Sequence, residues 1–232
     1  METILSVRDV RKNYPKTPAL KGVSFDVAPG QIVGLLGPNG SGKTTLIKII
    51  NTLITDYTGE ILVCGRPLGR ESKAAISYMP DCEYLRRDMT IASILNMYVD
   101  FYPDFDLAKA QSLLQMMSLE QNKRVRQLSK GMKEKLQLAL TMSRRAKLYI
   151  FDEPIAGVDP AARDFILDTI IRNYNDQGSI LFSTHLISDV EGIISRAIFI
   201  KEGTIILDQD TDSLRAERGQ SIDQIFREDF KC

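Results

Sequence analysis

Three stretches of the chain are dominated by apolar residues without alternation: Ile32-Val-Gly-Leu-Leu36, Lys147 to Phe151, and Ser179 to Ser183. A strand buried on one face alternates polar with apolar; a strand buried on both faces does not, and such strands belong to parallel sheets covered by helices. Each stretch stops at a polar cluster. The first meets Gly37-Pro-Asn-Gly-Ser-Gly-Lys-Thr44, the second Asp152-Glu153-Pro154, and the third Thr184-His185. Open α/β sheets bind ligands at the C-terminal tips of their parallel strands.

Weaker patterns fill in the remainder. Ile4 to Arg8 and Val23 to Val27 read as short strands, the second alternating Val23, Phe25 and Val27. Gly59-Glu-Ile-Leu-Val-Cys64 reads as another, ended by Gly65 and Pro67. From about Asp88 to Arg145 helical spacing takes over. Asp106 is placed to cap a helix with Leu107, Ala110, Leu113, Leu114 and Met117 on one face. Ser129 is placed to cap another carrying Leu136, Ala139, Leu140 and Ser143. Strand–helix alternation then resumes, with a helix over Pro160 to Asn173. Ala197 to Lys201 and Thr204 to Leu207 flank Glu202-Gly203 as a hairpin, and Ser221-Ile-Asp-Gln224 is a capping box. The order predicts an α/β fold with a helical insertion.

Composition narrows the function. Lys+Arg and Asp+Glu stand at 30 each in 232 residues, so no bulk charge grips nucleic acid, and none is expected as a partner. No apolar stretch approaches the ~18 residues of a membrane span. Met1-Glu2-Thr3 lacks the basic and apolar regions of a signal peptide. Cys64, Cys82 and Cys232 lack metal-type spacing, and reduced thiols in a cytosolic chain are expected.

The clusters then supply chemistry. Gly37 to Thr44 matches G-x-x-x-x-G-K-[ST]. Its glycines let successive backbone N–H groups wrap a phosphate, and the following helix points its N-terminus at the same anion. Lys43 would neutralise the β- and γ-phosphates, and the Thr44 hydroxyl would ligate Mg²⁺. Asp152 sits where a carboxylate holds Mg²⁺, directly or through water, and Glu153 is the candidate base for an attacking water. Adjacent strand residues point oppositely, so both serve one site only where the strand ends, and Pro154 ends it. His185 would hydrogen-bond the γ-phosphate and orient the water. Taken singly, Asp-Glu-Pro is also a polar turn and His185 a partly buried packing residue.

These residues resemble the ATP-binding subunit of ABC transporters over essentially the whole chain. The specific mark is Leu128-Ser-Lys-Gly-Met132, similar to the family signature L-S-G-G-Q, just before a helix and upstream of Asp152. The resemblance implies a RecA-like P-loop NTPase, its mostly parallel sheet flanked by helices, with an antiparallel N-terminal β subdomain. It implies one cassette over 1–232: a catalytic core at 1–84 and 146–232, and a helical signature subdomain at 85–145. It further implies ATP and Mg²⁺ as ligands, held by Tyr14 (stacked on adenine), Gly37, Pro38, Asn39, Gly40, Ser41, Gly42, Lys43, Thr44 and Thr45. Thr44, Asp152 and Asp81 would handle the metal; Glu153, His185 and Lys43 the catalysis. Ser129, Lys130 and Gly131 would act in trans on the nucleotide of a second ATP-binding subunit, identical or not. Asp159 would contact that subunit, and it also reads as an N-cap before Pro160. Tyr14 also reads as simple packing.

Three positions depart from the family pattern. Asp81, after Ser77-Tyr-Met-Pro80, stands where glutamine is usual, which puts turnover and coupling in question; Lys130 and Met132 replace glycine and glutamine. Together with the ending Ser221 to Phe230, they resemble the bacterial ABC-2-type exporter ATPases of the bacitracin-resistance and YtrB-like groups. The function implied is MgATP-driven dimerisation and hydrolysis coupled to export by a separate transmembrane permease, with this chain peripheral on the cytoplasmic face of the membrane. The alternatives are a cytosolic ABC ATPase that moves no solute, such as an iron–sulfur assembly ATPase, and a nucleotide-gated module with weak turnover and a soluble partner. A coiled-coil chromosome ATPase is disfavoured, because residues 45–128 hold no long heptad run. A translation-type protein would carry two cassettes.

Overall fold

The computed structural model describes residues 3–15, 17–174 and 178–230; Cys232 lies outside them. In chain order its elements are β1 (Leu5–Tyr14), β2 (Thr17–Val27), β3 (Ile32–Leu36), α1 (Lys43–Ile50), β4 (Thr58–Val63), β5 (Arg66–Pro67), α2 (Arg70–Ala75) and β6 (Ile76–Met79). Helices α3 (Ile91–Phe101), α4 (Leu107–Met116) and α5 (Lys130–Met142) follow. Then come β7 (Leu148–Asp152), α6 (Pro160–Asn173), β8 (Ser179–Thr184), α7 (Ile187–Val190), β9 (Arg196–Lys201), β10 (Thr204–Asp210), α8 (Thr211–Arg218) and α9 (Ile222–Asp229).

The strands form two sheets. One is antiparallel, in the order β2-β1-β4-β5; the other runs β10-β9-β3-β8-β7-β6 and is parallel except for β10. All five β7 residues are buried. Tyr149 and Phe151 enter one core with Ile180 and Phe182, while Leu148 and Ile150 enter another with Leu181. That two-sided burial is why the run is apolar throughout. Phe151 and Phe182 stack at 5.2 Å between centroids, worth ~0.5–1.5 kcal/mol beyond their buried area. The antiparallel sheet and α1 cover the second face; α5 and α6 belong to the core on the first, which α4 and α3 extend by packing in turn on α5 and α4.

Several strands differ from the sequence expectation; β10, for one, runs on to Asp210 rather than ending at Leu207. β1 continues past Arg8 to Tyr14 because a bulge interrupts its alternation: Val7 and Val10 are both buried, and Asp9 between them has φ 44°. β2 starts at Thr17, six residues before Val23, and its early half pairs with the extension of β1. Pro18 is tolerated in β2 because this is an edge strand, where a missing N–H costs no ladder bond. Cys64 lies beyond β4 with φ 52°, already in the turn.

The stretch between β6 and β7 is helical, and its caps fall at the expected residues. Asp106 accepts from the Lys109 N–H at 3.0 Å, and Ser129 from the Met132 N–H at 3.3 Å. From Leu136 to Met142 every residue of α5 is buried. The buried Arg144 joins this stretch to the sheet: its guanidinium reaches Asp104 at 2.7 Å and the carbonyls of Ala74 (2.7 Å) and Ile76 (3.2 Å), and lies 4.0 Å over Tyr102. A buried cation holds only with its donors satisfied in this way.

Candidate functional site

Four neighbouring parallel strands, β3-β8-β7-β6, carry every candidate residue of one cluster at their C-terminal tips. The phosphate loop follows β3, His185 follows β8, Asp152-Glu153 close β7, and Asp81 follows β6. Residues far apart in the chain meet because these strands are adjacent in the sheet.

The loop needs its glycines. A Cβ on Gly37 would lie 2.4 Å from the Ile200 carbonyl oxygen; Gly42 has φ 111°, and a Cβ there would lie 2.6 Å from the Ala19 oxygen. Gly42 begins α1 with no side-chain cap, which leaves the helix N-terminal N–H groups to an external anion. The β9–β10 turn braces the loop from the side: the Gly203 N–H donates to the Ser41 carbonyl at 2.9 Å. Tyr14, Asn39, Gly40, Ser41, Gly42, Lys43, Thr44 and Thr45 line one cleft of ≈ 570 Å³ together with Asp81, Glu153 and Glu202. Tyr14 is 44% exposed, its ring 4.9 Å from the Lys12 Nζ, which itself is tied to Asp56.

Lys43, 5% exposed, donates from Nζ to the carbonyls of Gly37 (2.6 Å) and Pro38 (3.1 Å) and ion-pairs with Glu153 at 3.3 Å. Burial lowers its pKa, and Glu153 opposes that shift. The other Glu153 oxygen lies 2.9 Å from His185 Nδ1. One carboxylate thus bridges the loop lysine and the histidine. Its backbone makes this possible: Glu153 has φ 49°, so the chain turns sharply just after Asp152 and both acidic side chains reach the site.

Asp152 is fully buried. Its Oδ1 accepts from the Ser183 hydroxyl and from the Thr44 hydroxyl at 3.2 Å; its Oδ2 has no hydrogen-bond partner. Desolvation raises its pKa, the Ser183 bond opposes this, and the negative charges of Asp81 and Glu153 add to the rise. No cluster of three or more His, Cys, Asp or Glu able to hold a metal occurs among the described residues. The donor set fits a cation that brings phosphate oxygens of its own. Thr44 spends its proton on Asp152 and keeps lone pairs, and Asp152 keeps an unused oxygen.

A carboxyl group whose pKa is raised by folding favours the fold below the ordinary carboxylate range and loses that benefit as pH rises through its folded value. At neutral pH, ionised Asp152 therefore costs stability. Asp152→Asn should raise the melting temperature of the ligand-free chain at pH 7, by about 2–4 °C per kcal/mol recovered. The gain should shrink as melts are repeated at falling pH; a lower melting temperature at pH 7 would contradict this.

The signature residues lie elsewhere. Ser129 and Gly131 are exposed and line neither this cleft nor its neighbour, and Asp159 is an exposed N-cap accepting from the Ala162 N–H at 3.1 Å. Lys130 does reach the neighbouring cleft of ≈ 550 Å³, with Asn39, Asp81, Glu153 and His185. Nothing in the sequence pattern alone assigns a role to Ser183, Lys12 or Glu202. A serine at the tip of an apolar run is a legible signal, though its place against Asp152 is not; the other two have none.

A family model for the ABC transporter matches residues 20–156. This chain belongs to the ABC transporter family. ABC transporter ATP-binding protein YtrB of Bacillus subtilis is 31% identical over 217 residues, covering 92% of this chain and 74% of that protein. Nod factor export ATP-binding protein I of Paraburkholderia xenovorans is 32% identical over 240 residues, covering 98% and 78%. A solved structure described as an ATP binding subunit of an ABC transporter superposes with a TM-score of 0.89 at 29% identity, over 99% of this chain and all of that one. This ABC ATPase binds and hydrolyses ATP as the ATP-binding subunit of a transporter, and such subunits work with transmembrane components. Among its described residues no helix is long and apolar enough to cross a membrane.

Proposed function

We propose that two such cassettes clamp two MgATP between them, each supplying the phosphate loop of one pocket and the signature of the other, and that hydrolysis drives export through a separate permease. The observation that carries this is the Glu153 bridge between Lys43 and His185, with Ser129 and Gly131 exposed outside the chain's own nucleotide cleft. An incoming γ-phosphate takes over Lys43 and His185 as partners. Glu153, released from both, accepts a proton from water as the water oxygen bonds the γ-phosphorus. The bond from that phosphorus to the β–γ bridging oxygen breaks, leaving ADP and inorganic phosphate. Mg²⁺, held through Thr44, Asp152 and Asp81, would spread the negative charge of the phosphates. His185 and the loop amides orient what they hold; Tyr14 would stack on the base.

Residues 85–145 form the helical signature subdomain in this reading, and 1–84 with 146–232 the catalytic core. The chain sits peripherally on the cytoplasmic face, against a membrane subunit beside Asp81. Export rests on the names of the Nod factor export relatives. Purification of the tagged chain from detergent-solubilised membranes should recover a polytopic membrane protein and an ATPase rate raised by its presence. Recovery of a soluble partner instead would favour the non-transport reading. A rate that stays near zero with the membrane partner bound would favour the nucleotide-gated module, which the extra charge of Asp81 beside Asp152 suggests.

A further inference from the structure

Ser183 is fully buried on β8, directly opposite Asp152 in the parallel register. Its neighbours in the run are apolar, so a hydroxyl here carries a desolvation cost that its bonds must offset. Both bonds go to the site. The hydroxyl donates to Asp152 Oδ1 and accepts from the Glu153 N–H at 3.2 Å, alongside that N–H's bond to the Ser183 carbonyl at 2.9 Å. Asp152 therefore has one oxygen engaged twice and the other not at all. The two oxygens are chemically equivalent, so what the contact from β8 opposes is rotation about Cβ–Cγ that would tilt the carboxylate plane and displace the unengaged oxygen. The same hydroxyl meets the backbone at the residue whose φ of 49° turns Glu153 toward Lys43 and His185.

We propose that Ser183 is a positioning residue for the ATPase reaction: it fixes the plane of the Asp152 carboxylate, so that one oxygen is left free for the nucleotide-bound cation, and holds the turn that aims Glu153. This rests on the assignment of Asp152 to the cation. Ser183 acts only through its neighbours, so its effect should be visible in metal binding as well as in rate. Partners that orient a metal-serving carboxylate typically contribute about 10–100-fold in affinity.

The test uses the full chain with Mn²⁺ as probe, free Mn²⁺ being read by electron paramagnetic resonance in the presence of saturating ADP. Ser183→Ala should weaken Mn²⁺ affinity about 10–100-fold and leave ADP affinity in EDTA unchanged. Ser183→Thr, which keeps the hydroxyl, should restore most of it. In an Asp152→Asn background, Ser183→Ala should add nothing further. Unchanged Mn²⁺ affinity in Ser183→Ala would overturn the proposal, as would an equal loss of ADP affinity in EDTA or the same loss in the Asp152→Asn background. If Asp152→Asn alone left Mn²⁺ affinity intact, the cation assignment itself would fall, and the proposal with it. Should Ser183→Ala not fold, Ser183→Cys, with its weaker donor, carries the same comparison.

Discussion

Glu153→Gln is expected to lower ATP turnover about 10²–10⁴-fold, the usual contribution of a general base, while nucleotide binding persists. The amide keeps the size and one acceptor oxygen of the carboxylate but has no useful basicity. It also removes the negative partner of Lys43, whose Nζ would retain the carbonyls of Gly37 and Pro38. A triphosphate would no longer compete with Glu153 for that ammonium, so affinity for a non-hydrolysable analogue should hold or rise. Single-turnover hydrolysis and equilibrium binding, measured on the same preparation, separate the two effects. Turnover within a few-fold of the parent would remove Glu153 from the mechanism.

Ser129→Arg should abolish ATP-dependent pairing of chains, and steady-state turnover with it, while each chain still binds nucleotide. Ser129 is exposed and stands apart from its own phosphate loop, so a long side chain there has room in the single chain. Against a second chain's triphosphate it has none. The substitution also deletes the N-cap of α5, a loss of about 1 kcal/mol. That helix survives such a loss because its second half is wholly buried. Thermal melts establish that the variant folds, and fluorescent-nucleotide titration reads binding by the single chain. Loss of that binding would place Ser129 in its own pocket or in the folding of the cassette.

The parts of the fold that could be read from residues alone are those where local pattern and tertiary burial coincide. β3, β7 and β8 stood out because burial on both faces forbids alternation, and α6 because Asp159-Pro160 both caps and opens it. The length of β1 was hidden by a bulge, since Val7 and Val10 share a face at a spacing no regular strand allows. Helices α2 and α7, six and four residues long, are too short to show a period. Of the cluster at the strand tips, the residue types were legible but the way they meet was not. Pro154 signalled that β7 ends there; nothing in the sequence signalled that Glu153 takes a left-handed conformation and reaches Lys43 and His185 together. Strand order is set by long-range pairing, so that β8 lies between β3 and β7, with Ser183 against Asp152, emerges only in three dimensions.

The clamping of nucleotide between two cassettes is tested most directly by equilibrium sedimentation of Glu153→Gln with saturating ATP and Mg²⁺. Twice the mass of one chain is expected with ATP, and a single chain's mass when ATP is omitted. A single chain's mass at saturating ATP, both alone and reconstituted with the membrane subunit, would contradict it.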